Sequence, residues 1–343
     1  LSVHSFPTRR SSDLVPIAAA RANPVDPGDH VPETPNRTGL IQLDDLKAED
    51  FFDYIDWSPF FWTWEMRQTF PAILDDPHRG ETARELYGHA QDMLGRIATE
   101  GWFSPRAALA LWPANRDGDD IVVWADEDRR RERARFHMLR QQTEKRKGRA
   151  NHCLADYVLP KGQDWIGGFA VNAGPEVHGI AEGYKQAGND YDAIMVQALA
   201  DRIAEAMAEA MHQRVRREIW GYAPDETLAN EELIREGYRG IRPAPGYPAC
   251  PEHTEKRTLF DLLDAPRTAG HELTESCAMW PAAAVSGLYF AHPEAAYFGV
   301  GRIGRDQVED YAARKGMTLD EAESWLAPNL AYTPGAPPLR KSA

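Results

Sequence analysis

The run from Gly240 to Lys256, Gly-Ile-Arg-Pro-Ala-Pro-Gly-Tyr-Pro-Ala-Cys-Pro-Glu-His-Thr-Glu-Lys, restricts the fold more than any other stretch of the chain. Prolines at 243, 245, 248 and 251 each fix φ and remove a backbone donor, so the run can be neither a helix interior nor a central strand. A stiff, extended loop is the expectation. Arg242 carries a planar fork suited to a carboxylate or phosphate, Gly246 permits close backbone approach, and Tyr247 offers an aromatic wall. Two readings follow: a clamp for a small zwitterion bearing a ring, or a structural connection whose Arg242 is a surface ion-pair partner.

A hydrophobic content of 43% over 343 residues suffices for a large core, in one domain or two. The formal charge of −14 excludes general nucleic-acid binding, which needs an excess of Lys and Arg on one face. Cys153, Cys250 and Cys277 are far apart, giving neither a disulfide framework nor a cysteine-rich zinc site, and a reducing cytoplasm fits best. The longest apolar stretch, 280–291, is interrupted by Pro281, Ser286 and Gly287, so no membrane span is expected. His253, in Cys250-x-x-His253, lacks a second ligand pair and is not read as a metal site.

Residues 1–14 are unpatterned, begin with Leu1 and are set aside as a non-native or disordered leader; Arg9-Arg10 before the apolar run 14–20 only weakly imitates an export signal. Four prolines over 23–38 predict an extended lead-in across 15–38 rather than an element. A short helix is expected over 45–54, followed by a ring cluster, Trp57, Phe60, Phe61, Trp62 and Trp64, that belongs in a core. Thr82 with Glu85 makes a capping-box pattern ahead of the helical stripe Leu86, Ala90, Met93, Leu94 and Ile97, which stops by Gly101. Residues 107–112 and 121–124 then predict a hairpin through a Gly-containing loop.

The segment 126–149 holds ten Lys or Arg against five Asp or Glu, and Leu139-Arg140-Gln141-Gln142 within it is read as helical. Such a run is a solvated face or a docking patch for an acidic partner. Further strands are expected at 154–159 and 165–171, the latter with Gly167-Gly168 marking a bulge or close approach. Met195, Leu199, Ile203, Met207, Met211, Val215 and Ile219 recur every four residues and make 192–220 the longest helix. Glu205 stands about 200° round from Ile203, which sends it to solvent on helix geometry alone. A short helix follows at 230–233, 276–303 supplies central antiparallel strands, and Asp306/Glu309 and Thr318/Glu321 open two closing helices as capping boxes. Residues 333–343 read as a disordered tail. Strands and helices come in runs, without βαβ alternation or a Gly-x-Gly-x-x-Gly turn, so the expected class is α+β: a central antiparallel sheet with flanking helices, not Rossmann.

Arg242-x-x-x-Gly246-Tyr247 in its proline-rich setting resembles the signature of the S-adenosylmethionine-binding activation domain of cobalamin-dependent methionine synthase. The likeness extends through Tyr54-Ile55-Asp56-Trp57, Leu139 to Lys145, Ala200-Asp201-Arg202-Ile203-Ala204-Glu205-Ala206, Ala278-Met279-Trp280-Pro281 and Trp325 to Leu330, in family order over roughly 35–332. It implies one activation domain over 39–332, with an interdomain linker just upstream. It implies reductive methylation of cob(II)alamin back to methylcobalamin, with S-adenosylmethionine as methyl donor and flavodoxin or a related flavoprotein as reductant.

The resemblance assigns Arg242 to the ligand carboxylate, Asp56 and Glu205 to the ammonium, ribose or sulfonium, and Ala244, Gly246, Tyr247, Tyr297 and Phe298 to the adenine slot. It thereby reverses the solvated reading of Glu205. Phe298 stands where the family has a second Tyr, so one hydroxyl is missing. The Ala278–Gly287 stretch is either strand core or a corrin-facing surface. No protein nucleophile, general base or metal ligand is expected, because the cofactor carries the chemistry. Nothing fits the Asp-x-His-x-x-Gly mark of the cobalamin-binding module, so the cofactor is expected on another domain or chain. The chain is then a fragment of a longer synthase or a separate reactivation subunit. The competing functions are a non-catalytic S-adenosylmethionine sensor and an ordinary methyltransferase with its own acceptor pocket.

Overall fold

The computed structural model describes residues 14–43 and 45–335. The leader expected over 1–14 and the tail expected over 333–343 lie outside it, apart from Leu14, which forms a bridge with Thr143, and residues 333–335.

Strands β1 (Gly39–Leu43), β2 (Arg106–Asp117), β3 (Asp120–Trp124), β4 (Glu132–His137) and β5 (Trp165–Asn172) are followed by a separate short pair, β6 (Glu272–Leu273) and β7 (Met279–Trp280), and by β8 (Ala284–Tyr289). The main sheet runs β4-β3-β2-β5-β8, with β1 beside the first half of β2, and every pairing between these strands is antiparallel. The α+β class with a central antiparallel sheet is therefore the observed one. The β2–β3 turn is tighter than the sequence suggests, because Asp117 pairs with Asp120 and only Gly118 and Asp119 lie between.

The helices are α1 (Ile17–Arg21), α2 (Ser58–Thr63), α3 (Gly80–Glu100), α4 (Glu176–Gln186), α5 (Asp190–Arg214) and α6 (Asn230–Ile234). Beyond them come α7 (Glu255–Leu263), α8 (Ala265–Thr268), α9 (Arg305–Lys315) and α10 (Leu319–Trp325). Along β2, Ala107, Leu109 and Leu111 enter one core, with α2, α3, α4 and α5, while Ala110, Trp112 and Ala114 enter a second core, with α7. The same alternation holds in β5, so helices cover both faces of the sheet. This explains why β5 is buried at every position and reads as an apolar run rather than an alternating one. Gly167 and Gly168 admit that packing: an added Cβ would lie 2.6 Å from Leu111 and 2.6 Å from Leu259 respectively. A third cluster joins α9 and α10 to Leu139, Val300 and Ile303.

Several local expectations change. The 45–54 helix is a 3-10 turn, Ala48–Tyr54, and the strand expected at 154–159 is a 3-10 turn, Leu154–Tyr157. The Thr82/Glu85 box does not form, because α3 already begins at Gly80, and Asp306 lies inside α9, whose N-cap is Gly304; Thr318/Glu321 does form. Residues 139–142 are not helical. Phe136 and Met138 fill the second core at strand spacing, and Arg140 and Gln142 are pulled into fixed hydrogen bonds, so tertiary partners outweigh local propensity. The charge run is thus solvated only in part. β8 is not central either, since it closes one end of the sheet path.

The lead-in 15–38 contains α1 and straps onto the domain. Arg21 bonds Asp119 and Asp310, and Glu33 receives two 2.7 Å hydrogen bonds from Arg239.

Candidate functional site

The proline-rich run does what its backbone allows: having few N–H groups to pair, it lies along the free side of β8. Ile241 and Phe290 exchange backbone hydrogen bonds of 3.0 Å, and the Leu288 N–H donates to the Pro243 carbonyl at 2.9 Å. Gly287 makes this approach possible, since a Cβ there would stand 2.8 Å from the Pro243 oxygen. One small residue of the 278–287 stretch therefore serves loop docking. Residues 244–250 then turn back on themselves, with Gly246 at φ +92° and its open side filled by the His253 ring. Farther on, Glu252 accepts from the Thr254 N–H and hydroxyl, and Lys315 of α9 pairs with both Glu252 and the fully buried Glu255. The run is thus anchored at both ends, with Arg242 between the anchors.

Arg242 is the centre of a polar cluster on α5. Its backbone N–H donates to the Tyr297 hydroxyl at 3.0 Å. Its Nη1 lies 2.7 Å from Glu209 Oε2, donates to the Tyr238 hydroxyl at 2.6 Å and sits 3.5 Å from His212 Nδ1. Burial opposes the guanidinium charge, but the Glu209 carboxylate overcomes that penalty and raises the Arg242 pKa. Burial, aided by Arg216 and Arg242, holds His212 well below its ordinary value, so its ring is neutral near pH 7. His212 stacks on Tyr289 at 5.1 Å.

Glu205 is half-buried, one turn from Glu209, and near enough to act on both Arg242 and Tyr247: burial first and Glu205 next raise the Tyr247 phenol. Glu205 continues a stripe that is exposed at Asp190, Ile194, Gln197 and Asp201, as helix geometry predicts, and that becomes covered from Glu205 onward. The 44% exposed Tyr247 and 37% exposed Tyr297 flank the loop. Arg242, Glu205, Tyr247 and Tyr297 therefore share one neighbourhood, with Ala244 and Gly246 in the intervening turn. Asp56 and Phe298 are not joined to it by any described contact. Asp56 accepts from the Ser58 N–H at the start of α2, and Phe298 packs on His152 with ring centroids 5.3 Å apart.

Sequence reasoning missed Glu209, His212, Arg216 and Tyr238. The spacing 205, 209, 212, 216 was a usable signal, since steps of four, three and four keep side chains on one helix face. The helix departs from α geometry near its end: Val215–Ile219 is a π turn in which the Trp220 N–H donates to the Val215 carbonyl at 2.8 Å. Arg216 lies in that turn, fully buried and bonded twice by Glu226.

All three cysteines are free and buried, and among the described residues no helix is long and apolar enough to cross a membrane. The family profile described as "Vitamin B12 dependent methionine synthase, activation domain" matches residues 47–316. A solved structure described as "Crystal Structure of the MetH Reactivation Domain bound to AdoHcy" is 51% identical, has a TM-score of 0.91, and is matched over 93% of this chain and 99% of that one. The sheet, the docked proline-rich loop and these two matches agree: the chain belongs to the activation-domain family of vitamin B12-dependent methionine synthase.

Proposed function

We propose that the Arg242 site binds S-adenosylmethionine and presents its methyl group to cobalamin held by another domain or chain, returning oxidised cofactor to methylcobalamin. The observation that carries this reading is the half-engaged guanidinium. Nη1 is tied to Glu209 and Tyr238, whereas among the described residues no hydrogen bond occupies Nε or Nη2. Those two groups form the edge that a ligand carboxylate grips bidentately. The AdoHcy bound in the related structure carries such a carboxylate, which supports the assignment.

In this reading Glu205 and Asp56 meet the ammonium, ribose or sulfonium. Backbone at Ala244 and Gly246, with Tyr247, Tyr297 and Phe298, encloses adenine. The protein binds and orients the donor and supplies no nucleophile. Cobalamin, when present, supplies the group that accepts the methyl. The exposed part of the basic stretch, including Arg130, Arg131, Arg133, Arg146, Lys147 and Arg149, is suited to steering an acidic flavodoxin-like reductant. The domain then acts as part of a cytoplasmic 5-methyltetrahydrofolate-homocysteine methyltransferase.

The test is a calorimetric titration with S-adenosylmethionine, followed by addition of a cob(II)alamin-loaded partner domain and a reduced flavodoxin. Binding with appearance of methylcobalamin is the expected result. Binding without methylcobalamin would leave only a sensor, and no binding would remove the reading altogether.

A further inference from the structure

We infer that Glu209 is a positioning residue: it aims the Arg242 guanidinium, and so sets the site's preference for ligands that carry a carboxylate. The inference rests on the reading just given. A guanidinium on a long stem has many rotamers, and a two-point grip on a carboxylate needs its plane and its free edge held in advance. Here the anchoring converges on one atom, Nη1, through Glu209 at 2.7 Å, Tyr238 at 2.6 Å and His212 at 3.5 Å.

Glu209 is itself held from behind. Arg216 Nη1 lies 3.8 Å from Glu209 Oε1, and Glu226 fixes Arg216 through hydrogen bonds of 2.8 and 2.7 Å. The Arg216 guanidinium also covers the Tyr238 ring at 4.0 Å. Two of the three groups that tether Arg242 are therefore braced by one buried arginine. Glu209 Oε1 is buried without a hydrogen-bond partner, so its tie to Arg216 is one of charge.

Positioning and net charge predict opposite signs. Were Arg242 merely a source of positive potential, the Glu209 carboxylate would cancel it, and Glu209→Gln would tighten binding of an anionic ligand. If Glu209 aims the fork, Glu209→Gln weakens that binding, and only for ligands the fork can grip.

Calorimetry on the full chain, with S-adenosylhomocysteine, with its deaminated analogue, which keeps the carboxylate without the ammonium, and with 5′-methylthioadenosine, which lacks both, separates these cases. Glu209→Gln, which removes the charge of the 2.7 Å ion pair with Arg242, should weaken S-adenosylhomocysteine and its deaminated analogue about tenfold and leave methylthioadenosine within about twofold. Tyr238→Phe, which leaves all charges in place, should show the same selectivity with a loss of about threefold. Added to Arg242→Ala, Glu209→Gln should cost nothing more. Unchanged or tighter binding of the deaminated analogue, or a loss for methylthioadenosine equal to that for S-adenosylhomocysteine, would overturn the inference. Wild-type protein that bound methylthioadenosine but not S-adenosylhomocysteine would overturn the site reading as well.

Discussion

Arg140 and Arg242 are both withdrawn from solvent and both face carboxylates, yet they are built differently. Arg140 spends every nitrogen: Nε goes to Asp119, Nη1 to Asp156 and the Asn151 carbonyl, and Nη2 to Asp156, all at 2.7–2.8 Å. Its side chain is 3% exposed. Arg242 spends one nitrogen, and its side chain keeps 18% exposure. A saturated guanidinium can only hold the fold together, whereas one tethered at a single corner has an edge left for something else. Donor occupancy, more than burial, separates Arg140 from Arg242, the proposed ligand-binding arginine.

The strongest way to break this contrast is Arg140→Ala. It removes the buried guanidinium that bridges Asp119 and Asp156, which are 2% and 0% exposed, leaves them one ion pair each, to Arg21 and Arg116, and should cost about 3 kcal/mol in urea-induced unfolding. A small loss would mean that saturation does not mark a structural role.

Arg242→Ala should behave the other way. Affinity for S-adenosylmethionine should fall by about 2–5 kcal/mol in calorimetry. The unfolding free energy should fall less than for Arg140→Ala, because Arg140 gives up four close side-chain hydrogen bonds, whereas Arg242 gives up one ion pair and one close hydrogen bond. Unchanged affinity would take Arg242 out of the site.

A smaller effect sharpens the comparison with a buried group that has no opposite charge. His271 is fully buried beside Phe260, and burial, only partly offset by the Val171 backbone, pushes its pKa down to about 4. Because the folded value lies below the ordinary 6.5, the unfolded chain takes the proton first as pH falls. The contribution is therefore complete above pH 6.5 and is lost toward about pH 4. Asp164 has the opposite slope: burial raises it from 3.8 to about 6, so stability declines as pH rises through that range. Comparing His271→Leu with wild type cancels the Asp164 contribution. From about pH 7.5 to about pH 5, the variant should lose about 2 kcal/mol less unfolding free energy than wild type. Equal losses would show that His271 is not held neutral.

How far the sequence could be read depended on how local the controlling force was. The proline-stiffened loop, the α3 and α5 stripes and their apolar partners were legible because φ restriction and helical periodicity act within a few residues. The 139–142 segment was not, since its conformation is set by Asp119, Asp156, Asp306 and Gln307 from elsewhere in the chain. The strand expected at 154–159 failed for a related reason: Asp156 caps its own turn by accepting from the Cys153 N–H and pairs with Arg140. In the candidate site, Arg242 and Glu205 were found through family likeness. Glu209 had the right helical spacing but no local feature to mark it as Arg242's partner.

By itself the sequence determined a donor-poor loop, neither helix nor central strand, that carries Arg242, and a helix whose acidic residues 205 and 209 share one face, because proline geometry and the helical repeat are properties of the chain. Only the tertiary structure decided that this loop lies along β8 over Gly287, and that Glu209 takes one corner of the guanidinium and leaves its edge open. Those outcomes depend on distances between segments far apart in sequence, which no local pattern records.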